Sequence, residues 1–169
     1  YRLEFGHDLE NFDVFIHLAS LNANLQNQNH FQEELNLSKK ALSFCIKRKI
    51  KHMIFFSTSQ IYSEKNSING SIDEAAIIQP ENIYASAKLE CEKFLLEACK
   101  EHDIDLTILR LPPFVDLKSS TKVSKLIKFS SRLRIFPIFE GANKNRKSFL
   151  TKKNLISVVE KALSREQDN

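Results

Sequence analysis

Three side chains in this sequence have the types and spacing to move a proton. Tyr84 and Lys88, in Tyr84-Ala85-Ser86-Ala87-Lys88, are four residues apart and so share one face of a helix. Thr58 lies in Phe55-Phe56-Ser57-Thr58-Ser59-Gln60-Ile61-Tyr62, an apolar run that ends in hydroxyl side chains. A hydroxyl, a phenol and an ammonium would then converge where a strand ends and a helix begins, and in open α/β sheets that crevice is where ligands bind. A plainer reading stands beside this one. Tyr84 and Lys88 also suit a solvated pair on a surface helix, and Thr58 suits a residue that closes a strand end.

The elements that must position these groups follow from the pattern. Asp13-Val14-Phe15-Ile16-His17-Leu18-Ala19 is too continuously apolar for a one-sided strand and predicts a parallel strand buried on both faces. His17 inside it reads as a core histidine. Ser20 to His30 is an Asn/Gln-rich loop, followed by a helix over 31–48 with Leu35, Ala41, Leu42 and Cys45 as its apolar stripe. Met53 to Phe56 is the next strand, and Ser63 to Asn82, with Asn69-Gly70 and Pro80, is a surface loop. A helix over 83–100 buries Ala87, Cys91, Phe94, Leu95 and Ala98. A third strand over 106–111 is halted by Pro112-Pro113. Beyond it come a helix over 124–133, an extended segment over 135–139, and a helix over 154–163 with Asn154 as its N-cap; Ser164 to Asn169 should fray. Strands alternating with helices across long connections predict a parallel sheet in a layered α/β fold.

Composition narrows the classes. A chain of 169 residues, 42% hydrophobic and 27% charged, is long enough for one domain with a real core. Its net charge of +4 is spread among acidic residues, which argues against a nucleic-acid surface. Cys45, Cys91 and Cys99 form no CxxC pair and read as reduced thiols in a cytoplasmic protein. The five histidines show no ligand spacing, so no metal is expected. No apolar run approaches membrane-spanning length, and no signal peptide is visible in these residues. Three glycines, none close to another, make no phosphate-cradling loop. The first residue is Tyr, so the chain is expected to begin inside a longer protein.

Four segments in order resemble a known family: Asp13 to Ser20, Phe56 to Tyr62, Tyr84 to Lys88, and Leu109-Arg110-Leu111-Pro112-Pro113. Together they resemble the extended short-chain dehydrogenase/reductases, and within these the NAD-dependent epimerase/dehydratase branch that acts on nucleotide sugars. Arg146-Lys147-Ser148-Phe149-Leu150 resembles the stretch where that family holds the nucleotide diphosphate. The resemblance runs from about Asp13 to Leu163.

It implies a Rossmann-like doubly wound parallel sheet, truncated at its N-terminus. Residues 1–111 would be the later part of the dinucleotide domain, and 112–169 a remnant of the smaller substrate-binding region. Tyr84 would be the acid/base that exchanges a proton with a sugar hydroxyl while hydride passes to or from nicotinamide. A phenol titrates near ~10 and needs a neighbouring positive charge to work near neutrality. The resemblance gives that task, and a hydrogen bond to the nicotinamide ribose, to Lys88. Thr58 would bond the same hydroxyl as Tyr84. Leu18, Ala19, Ser20, Ser57 and Pro112 would line the cofactor, NAD or NADP. Ser59, Arg146 and Lys147 would face the nucleotide-sugar substrate. Dimers of the family pair two long helices per subunit, here 31–48 and 83–100.

The chain departs from the family in places. The first βαβαβ half with its Gly-rich turn is missing, so the chain by itself is expected to bind NAD poorly, to be inactive, and to leave 13–18 as an exposed strand edge. Glu34 stands where the family often has Asn, Leu37 where it often has Gly, and Ser63 where Gly usually follows Ile61-Tyr62. Sugar-nucleotide 4,6-dehydratases place Asp-Glu after the Ser/Thr, because eliminating water needs an extra acid and base; here Ser59-Gln60 follows Thr58. Dehydration is therefore disfavoured. The expectation for an intact parent is 4-epimerisation at the sugar C4. A 4-reductase or dehydrogenase of the same family, or a non-catalytic binding module that has lost its cofactor site, are the alternatives.

Overall fold

The computed structural model describes residues 12–21, 28–63, 72–115, 122–134 and 148–164. They fall in two compact units, one of Tyr1–Ser67 with Ile72–Arg110, the other of Ile68–Ser71 with Leu111–Asn169.

The first unit is a three-stranded sheet with two long helices. In chain order it holds β1 (Val14–His17), α1 (Gln28–Arg48), β2 (His52–Thr58), a 3-10 turn (Ser59–Ile61), α2 (Ile83–Glu101) and β3 (Asp105–Leu111), whose last residue is counted with the second unit. The order across the sheet is β1-β2-β3. β1 runs parallel to β2 in the register Val14 to His52 through His17 to Phe55. The Asp105 amide bonds the Lys51 carbonyl at 2.7 Å and the His52 ring is 2.9 Å from the Thr107 hydroxyl, so β3 starts beside the start of β2 and runs the same way. All three strands therefore end on the same rim. The result is the parallel α/β sheet that the alternating pattern predicts, and it is Rossmann-like, as the resemblance implies.

Position in the sheet decides burial. The central strand β2 is buried almost throughout, from His52 to Phe55 and again at Ser57 and Thr58. Two-sided burial fails for β1: Val14, Phe15 and Ile16 are half-buried, and only His17 is enclosed. Among the described residues β1 has a single neighbour, so one flank lacks the packing that a continuous apolar run anticipates. β3, at the other edge, is half-buried for the same reason.

α1 and α2 pack against each other and the sheet, and their apolar stripes are those the 3.6-residue period predicts. Ala41, Leu42, Cys45, Cys91, Leu95 and Cys99 join Met53 and Phe55 in one buried cluster, with Leu35, Phe94 and Ala98 around it. The two helices also stop alike. Lys49 and Asp103 take left-handed backbone, at φ 57 and 55. Beyond them the Ile50 amide bonds the Cys45 carbonyl and the Ile104 amide bonds Cys99, each at 2.9 Å. Those are Schellman closures, each with a buried isoleucine tucked under the helix end.

The second unit contains α3 (Lys122–Leu133) and α4 (Lys152–Ser164), with a parallel bridge between Phe114 and Leu150. α4 begins two residues earlier than the spacing predicts. The Thr151 hydroxyl accepts from the Asn154 amide at 3.3 Å, so Thr151 is the cap and Asn154 lies in the first turn. The extended segment expected over 135–139, the pair Arg146 and Lys147, and the tail after Ser164 lie outside the described residues.

Candidate active site at the strand ends

The rim where β1 and β2 end gathers most of the predicted groups. Asn82, unremarked in the sequence, caps α2 by accepting from the Ala85 amide at 2.8 Å. This fixes where the helix starts, and so places Tyr84, Lys88 and Glu92 at successive fourfold intervals along one face.

Lys88 points inward. Its ammonium donates to the Phe56 carbonyl at 3.1 Å, lies 4.8 Å from the Phe55 ring centre, and pairs with the Glu34 carboxylate of α1 at 2.7 Å. The side chains of Lys88 and Glu34 are only 2% and 4% exposed. Glu34 accepts two further bonds, from the Ser20 hydroxyl and from the Leu21 amide, both at 2.8 Å. A buried carboxylate is thus satisfied by one cation and two neutral donors, which is what lets it remain in low dielectric.

Tyr84 lies half-buried beside this pair, in a cleft of about 10 Å³ lined by Leu21, His30, Phe31, Glu34, Ile83 and Ala87, room for one water molecule. Burial and the Glu34 carboxylate push the Tyr84 pKa above its ordinary value of 10, and a hydrogen bond with Ser20 opposes them. Lys88, to which the resemblance gives the positive charge beside Tyr84, is paired with Glu34 at 2.7 Å.

Thr58 and Ser57 take local roles. The Thr58 hydroxyl accepts from the Gln60 amide at 3.2 Å and caps the 3-10 turn that begins at Ser59, the plainer reading of that residue. Ser57 donates to Glu92 of α2. Glu92 is 1% exposed and holds the Arg110 guanidinium of β3 through both carboxylate oxygens, at 2.8 and 3.2 Å. Arg110 in turn donates to the Tyr62 hydroxyl and covers its ring at 5.3 Å. This second buried charge cluster escaped the sequence reading. Its signal was present: an acidic residue four places after Lys88, between two apolar positions of the buried stripe.

Leu18, Ala19 and Ser20, expected to line a dinucleotide, are exposed where β1 ends. Pro112 follows β3 and belongs to the second unit. His17 is enclosed, with Nε2 3.2 Å from the Ser38 hydroxyl. Burial, then the Lys88 charge, lower its pKa from 6.5 to about 4, while Glu34 acts in the other direction. Among the described residues no cluster of His, Cys, Asp or Glu could hold a metal ion, and no helix is long and apolar enough to cross a membrane.

A parallel sheet whose strand ends carry a Tyr-x-x-x-Lys helix leads to known proteins. The profile of the NAD dependent epimerase/dehydratase family matches residues 3–131. The chain belongs to that family. It is 24% identical over 172 residues to a dTDP-D-glucose 4,6-dehydratase of Dictyostelium discoideum, covering 89% of this chain and 38% of that protein. Among solved structures it is similar to a UDP-N-acetylglucosamine 4-epimerase from Bacillus cereus, with a TM-score of 0.76 and 18% identity over 91% of this chain and 54% of the other. A UDP-glucuronic acid 4-epimerase from Bacillus cereus, solved with UDP-glucuronic acid and NAD, gives a TM-score of 0.71 and 24% identity over 89% and 49%. These structural likenesses establish the shared fold. The chain spans about half the length of the solved relatives and less of the curated one.

Proposed function

We propose that the protein to which this chain belongs is an NAD-dependent nucleotide-sugar 4-epimerase, with Tyr84 exchanging a proton at the sugar C4 hydroxyl. The observation that carries the reading is the placement of Tyr84 and Lys88 on one face of α2, with Lys88 bonded to the Phe56 carbonyl at the rim where β2 ends. NAD, the cofactor of the family, would accept the C4 hydride and return it.

The residues present fit that group in their donor chemistry. An ammonium has three N–H donors; Glu34 and the Phe56 carbonyl take two from Lys88, leaving one for a ribose hydroxyl. Leu18, Ala19 and Ser20, exposed at the end of β1, offer backbone to a dinucleotide. Thr58 would orient the reacting hydroxyl, and Ser59 would face the nucleotide sugar. Dehydration, the reaction named for the Dictyostelium relative, needs an additional carboxyl acid and base, and Ser59-Gln60 supplies none. Pairing through α1 and α2 would make the assembly a homodimer.

The buried pair of Glu34 with Lys88 favours a second reading, a module that keeps the fold without turnover. Activity separates the two. In the intact protein, NAD should bind and UDP-sugars should interconvert at C4. Tyr84→Phe should cut kcat by at least ~100-fold with little change in NAD affinity. Unchanged turnover in Tyr84→Phe would remove the catalytic assignment, and absence of NAD binding would leave the non-catalytic module.

A further inference from the structure

The two groups assigned to the reacting hydroxyl come from different elements, Tyr84 from the first turn of α2 and Thr58 from the end of β2. Their separation therefore depends on what joins those elements. One link is the Lys88 ammonium on the Phe56 carbonyl. Another lies one helical turn further along α2. Glu92, 1% exposed, takes the Arg110 guanidinium of β3 at 2.8 and 3.2 Å, and Ser57 of β2 donates to the same carboxylate. Arg110 directs a further N–H to the Tyr62 hydroxyl and covers the Tyr62 ring.

Tyr62 closes the 3-10 turn that begins at Ser59. At the far end of that turn the Tyr62 amide bonds the Ser59 carbonyl at 3.2 Å; at the near end the Thr58 hydroxyl accepts from the Gln60 amide, also at 3.2 Å. A hydroxyl has one proton and two lone pairs, so the turn decides which lone pair of Thr58 is taken and in which direction its proton can be given. An arginine fork bound on two sides resists sliding, because a shift would unpair a buried carboxylate. A tie at the surface, from the Asn82 side-chain amide to the Gln60 side-chain oxygen at 3.2 Å, joins the turn to the cap of α2 as well.

We propose that Arg110 is a positioning residue of the active site: clamped by Glu92 of α2, it holds the Tyr62 end of the 3-10 turn and so fixes Thr58 against Tyr84. The inference rests on the reading of Tyr84 and Thr58 as the groups that act on the sugar hydroxyl, and deepens it by naming what sets the spacing between them. Arg110 acts through Glu92 and Tyr62 and needs no contact with substrate or cofactor. It gives a purpose to a carboxylate buried in the apolar stripe of α2, which brings the helix bearing the acid/base into register with the strand end bearing its partner. A misplacement of about 1 Å between reacting groups can cost ~100-fold in rate, so a clamp one turn away from the reacting atoms still governs the chemistry.

Tyr62→Phe is the smallest test, since it deletes the hydroxyl that Arg110 holds and keeps the buried ring. In the intact protein without substrate, the amides of residues 60 and 62 should exchange with deuterium about tenfold faster or more, while those of Cys45 and Leu95 in the α1–α2 core keep their rates. In turnover, kcat should fall by about tenfold, with KM for the nucleotide sugar and the affinity for NAD held within about twofold. Glu92→Gln frees Arg110 from its anchor and should give the same split. Adding Tyr62→Phe to it should lower kcat no further, because both changes act through Arg110. If Glu92→Gln does not fold, Arg110→Lys, which keeps the charge but loses the fork, takes its place in the cycle. Unchanged exchange at residues 60 and 62 overturns the proposal whether or not the protein turns over. Losses in the double variant that multiply overturn it too. A Tyr84→Phe variant that loses turnover beside a Tyr62→Phe variant that keeps it overturns the clamp alone; turnover unchanged in Tyr84→Phe removes the catalytic reading and the clamp with it.

Discussion

The Glu34 carboxylate and the Lys88 ammonium sit 2.7 Å apart with almost no exposure to solvent, joining α1 to α2 at the rim of the sheet. Taking both charges out of water is costly, and their attraction offsets it with the help of further hydrogen bonds from Ser20 and Leu21 to the carboxylate and from the ammonium to the Phe56 carbonyl. The pair therefore behaves as one unit, and each half alone is a liability.

Removing one half should cost far more than removing both. Lys88→Met leaves a buried carboxylate without its cation, and Glu34→Leu leaves a buried ammonium without its anion. Each should destabilise the fold by about 3–5 kcal/mol, while the double variant should lose much less than the sum. Urea denaturation of the four proteins measures the coupling. Additive losses would mean that the two charges do not interact as the geometry requires.

Acid should weaken the fold through His17. Its folded pKa of about 4 lies below the ordinary 6.5, so between those values the unfolded chain takes up a proton that the folded chain refuses. Stability contributed by this residue is complete above about pH 6.5, falls as pH drops toward 4, and is flat below. The loss amounts to roughly 3 kcal/mol at most. Urea midpoints for wild type and His17→Gln, compared at pH 7 and pH 4.5, should show a larger acid-induced drop in the wild type; equal drops would contradict the burial of a neutral imidazole.

The three thiols should be inert while the chain is folded. Cys45, Cys91 and Cys99 are buried and free. Burial is the largest cause in each case, pushing Cys45 up to about 12, Cys99 up to about 11, and Cys91 above its ordinary value. Thiolate is the reactive form, so at pH 8 a disulfide reagent should label these residues at least ~100-fold more slowly than in denaturant, where all three react. Rapid labelling under native conditions would show that the α1–α2 core opens readily.

Much of this arrangement was legible in the sequence because it is local. The fourfold spacing of Tyr84 and Lys88, and the periodic apolar positions from Ala41 to Cys45 and from Ala87 to Leu95, carry their helices directly. The half-burial of Val14 to Ile16 was not legible, since it depends on which strand lies beside β1. Glu34 was noticed as an unusual residue, but nothing in its neighbourhood names Lys88 as its partner. That contact exists only once two helices meet over the sheet. Glu92 was hidden for a related reason: a carboxylate in an apolar stripe is explained by Arg110, which arrives on a later strand.

The two helix endings at Lys49 and Asp103 have a consequence for how robust the chain is. A side chain with a Cβ in the left-handed region costs roughly 1–2 kcal/mol, and the sequence accepts that cost twice around its principal core although glycine would avoid it. Both positions are solvent-facing and lie on the rim opposite the strand ends. Untapped stability therefore resides where changing a residue need not disturb the chemistry, and a hardier form of this protein is only a codon or two away.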